Sequence, residues 1–243
     1  MATREAWYIY VIICIITFWG IFKEDYMSKI LVTCDDYWHP GEVVERGLSF
    51  LSDEYELDFV KDAKDILTPS MLADYSLIIN AKMDEINASN QTPWFDDIAE
   101  LKVCDIAEYI KKGNGFLSLH AGNSYFWDKN REYCELNGCA FVTHPPRCTI
   151  SVEKTDVSHP ITEGIETFEI RDEHYEVDHV IPEAQIILKS TSSAGGTQVA
   201  GYVHTLGDGR MCSLMPGHIL SVFENKEYQK VIRNAIKWCI KEI

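Results

Sequence analysis

The sequence predicts an α/β fold, a doubly wound, mostly parallel sheet that is flanked by helices and carries an added β-hairpin region. Short β-branched runs alternate with amphipathic stretches along the first half of the chain, which is typical of parallel sheets. The apolar run 115–119 breaks into the tight turn His120-Ala121-Gly122, and many α/β enzymes present a reactive group at such an elbow. The 243 residues contain no repeat or low-complexity linker, so one large domain is expected.

The first half of the chain supplies four predicted strands and the helices between them. Strands are predicted where short apolar or alternating runs occur, at 29–34, 55–60, 75–80 and 115–119. Helices are predicted where apolar residues recur every three or four positions, at 40–51, 68–72 and 96–112. Pro69 suits the first position of a helix and Gly113 suits its end. The polar stretch 84–95 is expected to be a loop.

The second half alternates less regularly. Segment 139–146 is predicted to be a loop, 159–164 a turn, and 148–153 and 185–189 strands. Two further runs, 199–205 and 210–214, flank Leu206-Gly207-Asp208-Gly209 and predict a hairpin. An amphipathic pattern from Asn225 onward predicts a closing helix.

Charge and cysteine usage narrow the class of protein. The formal net charge is -16, from 38 Asp and Glu against 22 Lys and Arg, and a nucleic-acid binder would need a basic face instead. The eight cysteines fall mostly inside apolar runs and form no Cys-x-x-Cys pair, as expected of buried thiols in a reducing compartment. A cytoplasmic protein that binds no nucleic acid is expected.

Residues 1–26 differ from the rest and are treated as an apolar extension that precedes a domain over 28–243. The run 7–22 is almost wholly apolar, but a membrane-spanning helix needs about 20 such residues. A start of translation at Met27, a membrane anchor through 7–22 and a docked helix are the three interpretations. Contact with a membrane is expected only if the anchor is real.

Polar side chains are expected at the sheet edge where the parallel strands end. Asp35 and His39 follow the first strand, His120 follows the fourth, and His218 follows the last. Ligands bind beyond the carboxyl ends of strands in such sheets, so these side chains should converge. We interpret His120 and His218 as catalytic residues, and Asp35 and His39 as substrate contacts. A purely structural role is the alternative for each, and it is weakest for His120 at the elbow.

A second set of candidates follows the elbow. Glu173 and Tyr175 lie in an acidic, histidine-containing cluster, and His144 precedes a proline. Glu173 is the third catalytic candidate, whereas Tyr175 and Trp127 are predicted substrate contacts, Trp127 by stacking on a sugar ring. An exposed charge for Glu173 and core packing for the aromatic residues are the structural alternatives.

Imidazoles beside a carboxylate suit either acid/base catalysis or a divalent cation. The metal hypothesis takes His120, His144 and His218 as ligands and zinc as the cation. No local zinc motif such as His-Glu-x-x-His occurs, so distant segments would have to assemble the site. Neither Gly-x-Ser-x-Gly nor Gly-x-Cys-x-Gly occurs, which argues against a nucleophilic elbow.

Six motifs in a fixed order resemble those of the ThuA-like (trehalose utilization) family. They are Gly-Phe-Leu-Ser-Leu-His at 115–120, Leu-Asn-Gly-Cys-Ala-Phe-Val-Thr-His-Pro at 136–145, His-Pro-Ile-Thr-Glu-Gly-Ile at 159–165, Phe-Glu-Ile-Arg-Asp-Glu-His-Tyr at 168–175, Gly-Asp-Gly-Arg at 207–210 and Pro-Gly-His at 216–218. The resemblance covers about 28–243, and the positions that match the family pattern are His120, His144, Glu173 and His218. Ala121 stands where the family often has glycine, and 123–133 is individual to this chain.

The resemblance implies a class I glutamine amidotransferase-like, flavodoxin-related fold without the amidotransferase cysteine, so a glutaminase is not expected. It also implies bacterial carbohydrate utilization, with trehalose, other disaccharides or keto-sugars as small-molecule partners. An enzyme that uses His/Glu acid/base or metal-assisted chemistry on a sugar is the first hypothesis. A non-catalytic sugar-binding or regulatory module is the second. A homo-oligomer is left open.

Overall fold

A computed structural model describes residues 27–61, 63–84 and 99–243. The predicted extension 1–26, with its apolar run 7–22, lies outside the described residues, as does nearly all of the predicted loop 84–95. Within the described ranges, no helix has the length and apolar character needed to cross a bilayer.

The described chain forms a nine-stranded sheet, in the order β2-β1-β3-β4-β11-β10-β9-β6-β7, and a separate two-stranded ribbon of β5 and β8. The strands are Lys29–Thr33 (β1), Glu56–Val60 (β2), Leu77–Asn80 (β3), Gly115–Leu119 (β4), Ala140–Thr143 (β5), Cys148–Lys154 (β6), Phe168–Asp172 (β7), Glu176–Asp178 (β8), Gln185–Ser192 (β9), Gly196–Leu206 (β10) and Gly209–Leu214 (β11).

Six α-helices occur in the described ranges, and 3₁₀ turns connect several elements. The helices are Gly41–Leu48 (α1), Ala63–Ile66 (α2), Val103–Lys111 (α3), Arg131–Asn137 (α4), Leu220–Phe223 (α5) and Lys226–Cys239 (α6), and the 3₁₀ turns are Ser49–Leu51, Pro69–Asp74, His120–Asn123 and Pro160–Thr162. The α/β prediction is confirmed, and β10 and β11 form the predicted hairpin.

The sheet is parallel on one side and antiparallel on the other. Strands β2, β1, β3, β4 and β11 pair in parallel, whereas β11, β10, β9, β6 and β7 pair antiparallel in turn. Because β10, β9, β6 and β7 each run opposite to the strand before them in the sheet, β7 runs in the same direction as β11 and β4. The carboxyl ends of β1, β4, β11 and β7 therefore lie at the same edge of the sheet.

Two apolar layers cover the two faces of the sheet, because successive side chains of a strand point to opposite sides. On β4, Leu117 and Leu119 belong to the layer that contains α1, α5 and α6. Phe116 belongs to the opposite layer, with α3 and α4. Every residue of β4 is buried, so the strand that leads to the elbow is fixed from both sides.

Three predicted elements need correction. The short helix predicted over 68–72 is a 3₁₀ turn, Pro69–Asp74. Residues 96–98 of the helix predicted over 96–112 lie outside the described residues. From residue 99 onward the helix begins at Val103, because the Lys102 backbone N–H donates to the Asp105 carboxylate (2.9 Å) and so caps the helix there. The predicted loop 139–146 contains β5, which pairs with β8 about 35 residues later. Long-range pairing of such short strands leaves little local pattern in the sequence.

Candidate functional site

His120 occupies the elbow directly after β4. Its backbone φ of 44° lies in the left-handed region, which costs a non-glycine residue energy and persists only where the surroundings impose it. The Asn123 side-chain amide donates to the Leu214 carbonyl (2.9 Å), and the Ser124 hydroxyl donates to the Ala121 carbonyl (2.7 Å). These bonds fix the 3₁₀ turn and hold a His120 side chain that is 2% exposed.

The hydrogen bonds of the His120 ring define where its lone pair points. The Nδ1 atom lies 2.8 Å from the Met215 carbonyl oxygen, which can only accept, so the neutral ring carries its proton on Nδ1. The Nε2 atom is then an acceptor, 3.0 Å from the Tyr175 hydroxyl and 3.3 Å from His218 Nδ1. The basic nitrogen of His120 therefore faces His218.

His218 is positioned by a buried aspartate at the end of β7. The two carboxylate oxygens of Asp172 accept the backbone N–H groups of Gly217 (2.6 Å) and His218 (3.1 Å). Gly217 has a φ of 145°, and a Cβ atom there would lie 2.8 Å from Cβ of His120. A glycine is needed because the loop passes so close to the elbow.

Glu173 brings a carboxylate to the two imidazoles. Its Oε2 atom lies 3.2 Å from Nδ1 of His218, 3.5 Å from Nε2 of His120 and 3.7 Å from Nε2 of His144. The residue directly follows β7, whose carboxyl end shares the sheet edge with β4 and β11. The sheet topology therefore assembles the cluster from segments that are far apart in sequence.

His39 contributes a third imidazole that is held by an aspartate. Its Nδ1 atom lies 2.8 and 2.9 Å from the two carboxylate oxygens of Asp36, so the ring proton stays on Nδ1 and Nε2 is left with its lone pair. Asp36 also accepts the backbone N–H groups of Trp38 (2.8 Å) and Met83 (2.9 Å). A carboxylate behind an imidazole is the usual second partner of a metal-binding histidine.

Four side chains could together hold a cation. His39, His120, Glu173 and His218 each offer one ligand atom, and these atoms all lie within 4.8 Å of one another. Ligands 2.0–2.1 Å from a tetrahedral ion lie about 3.3–3.4 Å apart. The distances of 3.2, 3.3 and 3.5 Å among Glu173, His120 and His218 match that spacing.

Burial and the neighbouring charged or hydrogen-bonding groups shift the pKa values of the cluster in opposite directions. Burial alone would lower the pKa of His120, but Glu173, Asp172 and the Met215 carbonyl raise it above its ordinary value. Burial would raise the pKa of Glu173, yet hydrogen bonds from His120 and His218 hold it far below its usual range. Burial lowers the pKa of His39 despite its bond to Asp36. Glu173 is thus a carboxylate at neutral pH, and His39 is a neutral ring.

A cavity of about 460 Å³ opens beside this cluster. Aromatic and sulfur-containing side chains form much of its wall, and polar or charged side chains form the rest. The lining residues are Trp38, His39, Met83, Ser124, Phe126, Phe141, His144, Arg147, Glu173, Tyr175 and His218. Trp38 is 59% exposed, so an indole ring stands at the mouth. The volume falls in the range of small-molecule sites.

The fold and the site now permit comparison with known proteins. A family model described as ThuA, trehalose utilisation, matches residues 33–239. The chain belongs to the ThuA family. A search of curated proteins finds no match.

Solved structures share the fold at low sequence identity. A ThuA-like protein from Parabacteroides merdae is 15% identical, with a TM-score of 0.68 over 89% of this chain and 90% of its own. A ThuA-like protein from Bacteroides uniformis is 18% identical, with a TM-score of 0.65 over 88% and 91%. A glutamine amidotransferase from Thermotoga maritima is 14% identical, with a TM-score of 0.57 over 89% and 99%. The glutamine amidotransferase-like fold expected for a ThuA protein is therefore present.

The structure brings most of the predicted site residues together. His120, Glu173 and His218 form one cluster, and Tyr175 contacts it through its hydroxyl. His39, predicted as a substrate contact, lies inside the cluster. His144, predicted as a metal ligand, lines the cavity next to Glu173 but stands outside the group of four potential ligands.

Two predicted substrate contacts lie elsewhere. The Asp35 carboxylate accepts the backbone N–H of Gly41 (2.8 Å) at the start of α1, so it faces that helix and does not line the cavity. The Trp127 ring stacks on His179 with centroids 4.1 Å apart and also lies outside the lining. Both residues come shortly after a predicted strand, but the Asp35 side chain turns toward the Gly41 N–H and the Trp127 ring toward His179.

Two carboxylates that hold the ligands received no site role from the sequence. Asp36 precedes His39 by three residues, and this spacing lets one side chain bond both the ring and the backbone N–H of that histidine (3.0 Å). Asp172 precedes Glu173 and binds the backbone of the loop at His218. The Asp-x-x-His spacing was a readable signal, whereas the contact of Asp172 across 45 residues was not.

Proposed function

We propose that this ThuA protein is an enzyme that acts on a sugar derivative with the help of a divalent metal ion held by His39, His120, Glu173 and His218. The supporting observation is the convergence of four ligand atoms within 4.8 Å of one another at the wall of a cavity of sugar-accommodating size. The family description, trehalose utilisation, supports a carbohydrate as the substrate class.

The arrangement of protons favours a cation over an empty polar cluster. His39 and His120 both direct their Nδ1 protons away from the centre, to Asp36 and to Met215. The Nε2 lone pairs of these two rings, when neutral, and the Glu173 carboxylate then face one another. His218 Nδ1 and the Tyr175 hydroxyl are the neighbouring groups that can donate a hydrogen bond to them. Converging acceptors repel unless a positive charge lies among them, and imidazole-rich sets suit zinc and related transition metals.

The chemistry suited to this site is polarisation of a carbonyl or activation of water. A divalent ion supplies either by Lewis acidity, and either would serve a keto-sugar, whose carbonyl makes the neighbouring C–H protons acidic. His144 is placed to move such a proton, because its Nδ1 lies 2.9 Å from the Pro145 carbonyl oxygen and its Nε2 is left facing Glu173. General acid/base catalysis by a positioned imidazole contributes roughly 10²–10⁴-fold.

Metal binding by the purified full chain tests the proposal. Isothermal titration calorimetry with zinc should show one site per chain, and His218→Ala should weaken binding by at least about 100-fold, since a ligand is lost. His179→Ala is the matched control, because His179 is exposed and stacks on Trp127 away from the cavity. Wild-type zinc affinity in His218→Ala, or no binding by the wild type, would contradict the proposal.

Turnover separates an enzyme from a binding module. Keto-glycosides and their parent glycosides should be screened with the metal-loaded protein, with and without a chelator. We expect His120→Ala to abolish turnover while its circular dichroism spectrum stays that of the wild type. Saturable sugar binding without product, and without dependence on metal, would instead identify the non-catalytic module.

A further inference from the structure

We infer that Arg147, in the wall of the cavity, recognises an anionic substituent of the substrate, a carboxylate or a phosphate. The inference rests on the proposed function for the site, and it specifies the substrate class further.

The position of Arg147 is set by a short, stiff loop. The segment His144-Pro145-Pro146-Arg147 joins β5 to β6, and both of its end residues line the cavity. Each proline fixes its own φ near -65°, so the loop has few conformations. Three residues span at most about 10–11 Å. A ligand that contacts His144 therefore has Arg147 in the wall of the same cavity.

The guanidinium of Arg147 has no carboxylate partner among the residues that line the cavity. Glu173 and Arg147 are the two lining residues with a permanent charge at neutral pH. Glu173 is engaged by His120, His144 and His218. Among the residues that the structure describes, no carboxylate pairs with Arg147.

The chain has a net charge of -16, and its acidic residues outnumber its basic ones by 38 to 22. The overall field repels anions at long range, so an anionic ligand would need a local, geometrically matched cation. The guanidinium fork binds carboxylate and phosphate oxygens in pairs, which an ammonium group does not do. Aromatic walls formed by Trp38 and Phe141 leave the sugar ring an apolar face to pack against.

Calorimetric titration of the full-length protein with three matched probes tests the inference: glucose, glucuronate and glucose 6-phosphate. We expect at least one acidic probe to bind about tenfold tighter than glucose, since a charge-assisted hydrogen bond at an exposed site is worth about one decade. Arg147→Gln should remove that preference, and Arg147→Lys should restore part of it. The acid that is preferred identifies the substituent as carboxylate or phosphate.

Arg46→Gln is the control, because this substitution removes the same charge at a residue that is exposed on α1 and lies outside the cavity lining. It should keep the wild-type preference. Equal binding of glucose and both acids, no binding of either acid at about 10 mM, or an unchanged preference in Arg147→Gln would overturn the inference. Zinc titration of the same samples reports separately on the proposed metal centre, so failure of one does not imply failure of the other.

Discussion

Replacing Asp36 with asparagine tests the support of the proposed metal centre without removing a ligand. The carboxylate is buried and bonds the His39 ring through both oxygens, and it also accepts backbone N–H groups from Trp38, His39 and Met83. An amide has one acceptor oxygen. If that oxygen keeps the bonds from Trp38 and His39, the amide nitrogen must face the Met83 N–H.

Two magnitudes follow from this geometry. A buried donor left without an acceptor costs about 1–3 kcal/mol, and at about 2–4 °C per kcal/mol for a chain of this size the melting temperature should fall by roughly 2–12 °C. The His39 ring would also lose one of its two acceptors, because the amide nitrogen replaces the oxygen 2.9 Å from Nδ1, and it would lose the negative charge behind it. Loss of such a supporting carboxylate typically costs 10–100-fold in metal affinity.

The assay is competition for zinc against a fluorescent chelator at pH 7.5, with thermal melting of the same samples. Asp58→Asn is the control, because Asp58 lies on β2, away from the cavity, and its carboxylate accepts a hydrogen bond from the Tyr75 hydroxyl (2.6 Å). We expect weaker zinc binding in Asp36→Asn and wild-type affinity in Asp58→Asn. Equal affinity in both variants would refute the argument that Asp36 orients His39 toward a metal.

Three further predictions follow from the same contacts. Gly217→Ala should destabilise the protein by about 1–3 kcal/mol, because the Gly217 φ of 145° and the 2.8 Å approach to His120 leave no room for a Cβ atom. Urea unfolding measures this, and an unchanged urea midpoint would contradict the close approach. Burial lowers the pKa of His174, so below pH 6.5 the unfolded chain binds a proton that the folded chain does not. As the pH falls, the stability advantage of the wild type over His174→Asn should therefore shrink by up to about 1.4 kcal/mol per pH unit. A constant difference in stability from pH 7 to pH 5 would oppose this. Zinc at 100 times its Kd should stabilise the chain by about 2.7 kcal/mol and raise Tm by roughly 5–11 °C, whereas a chelator should reverse the shift.

The parallel half of the fold was readable from sequence because each element there has a strong local pattern. Strands such as β1 and β3 are short apolar runs, and α1 and α6 carry an apolar stripe. The start of α3 was missed because the cap at Lys102 depends on a bond to Asp105 and not on periodicity. The β5–β8 ribbon was missed because its strands have only four and three residues, too few to show the alternation that marks a strand.

The candidate site was partly predictable for the same reason. His120 and His218 follow strands, so the topology of a parallel sheet alone brings them together. Glu173 joins them because the antiparallel strands return β7 to the direction of β4, which no local pattern shows. The side-chain directions of Asp35 and Trp127 depend on the nearby Gly41 amide and His179 ring, and sequence position does not report such contacts.

Binding of one metal ion by His39, His120, Glu173 and His218 is tested most directly by a crystal structure of the zinc-loaded protein, with anomalous data collected at the zinc edge. We expect a single strong anomalous peak, with His39 Nε2, His120 Nε2, His218 Nδ1 and one Glu173 oxygen about 2.0–2.2 Å from it. Zinc bound elsewhere, or no peak at the cluster with the rings hydrogen-bonded to one another, would contradict it.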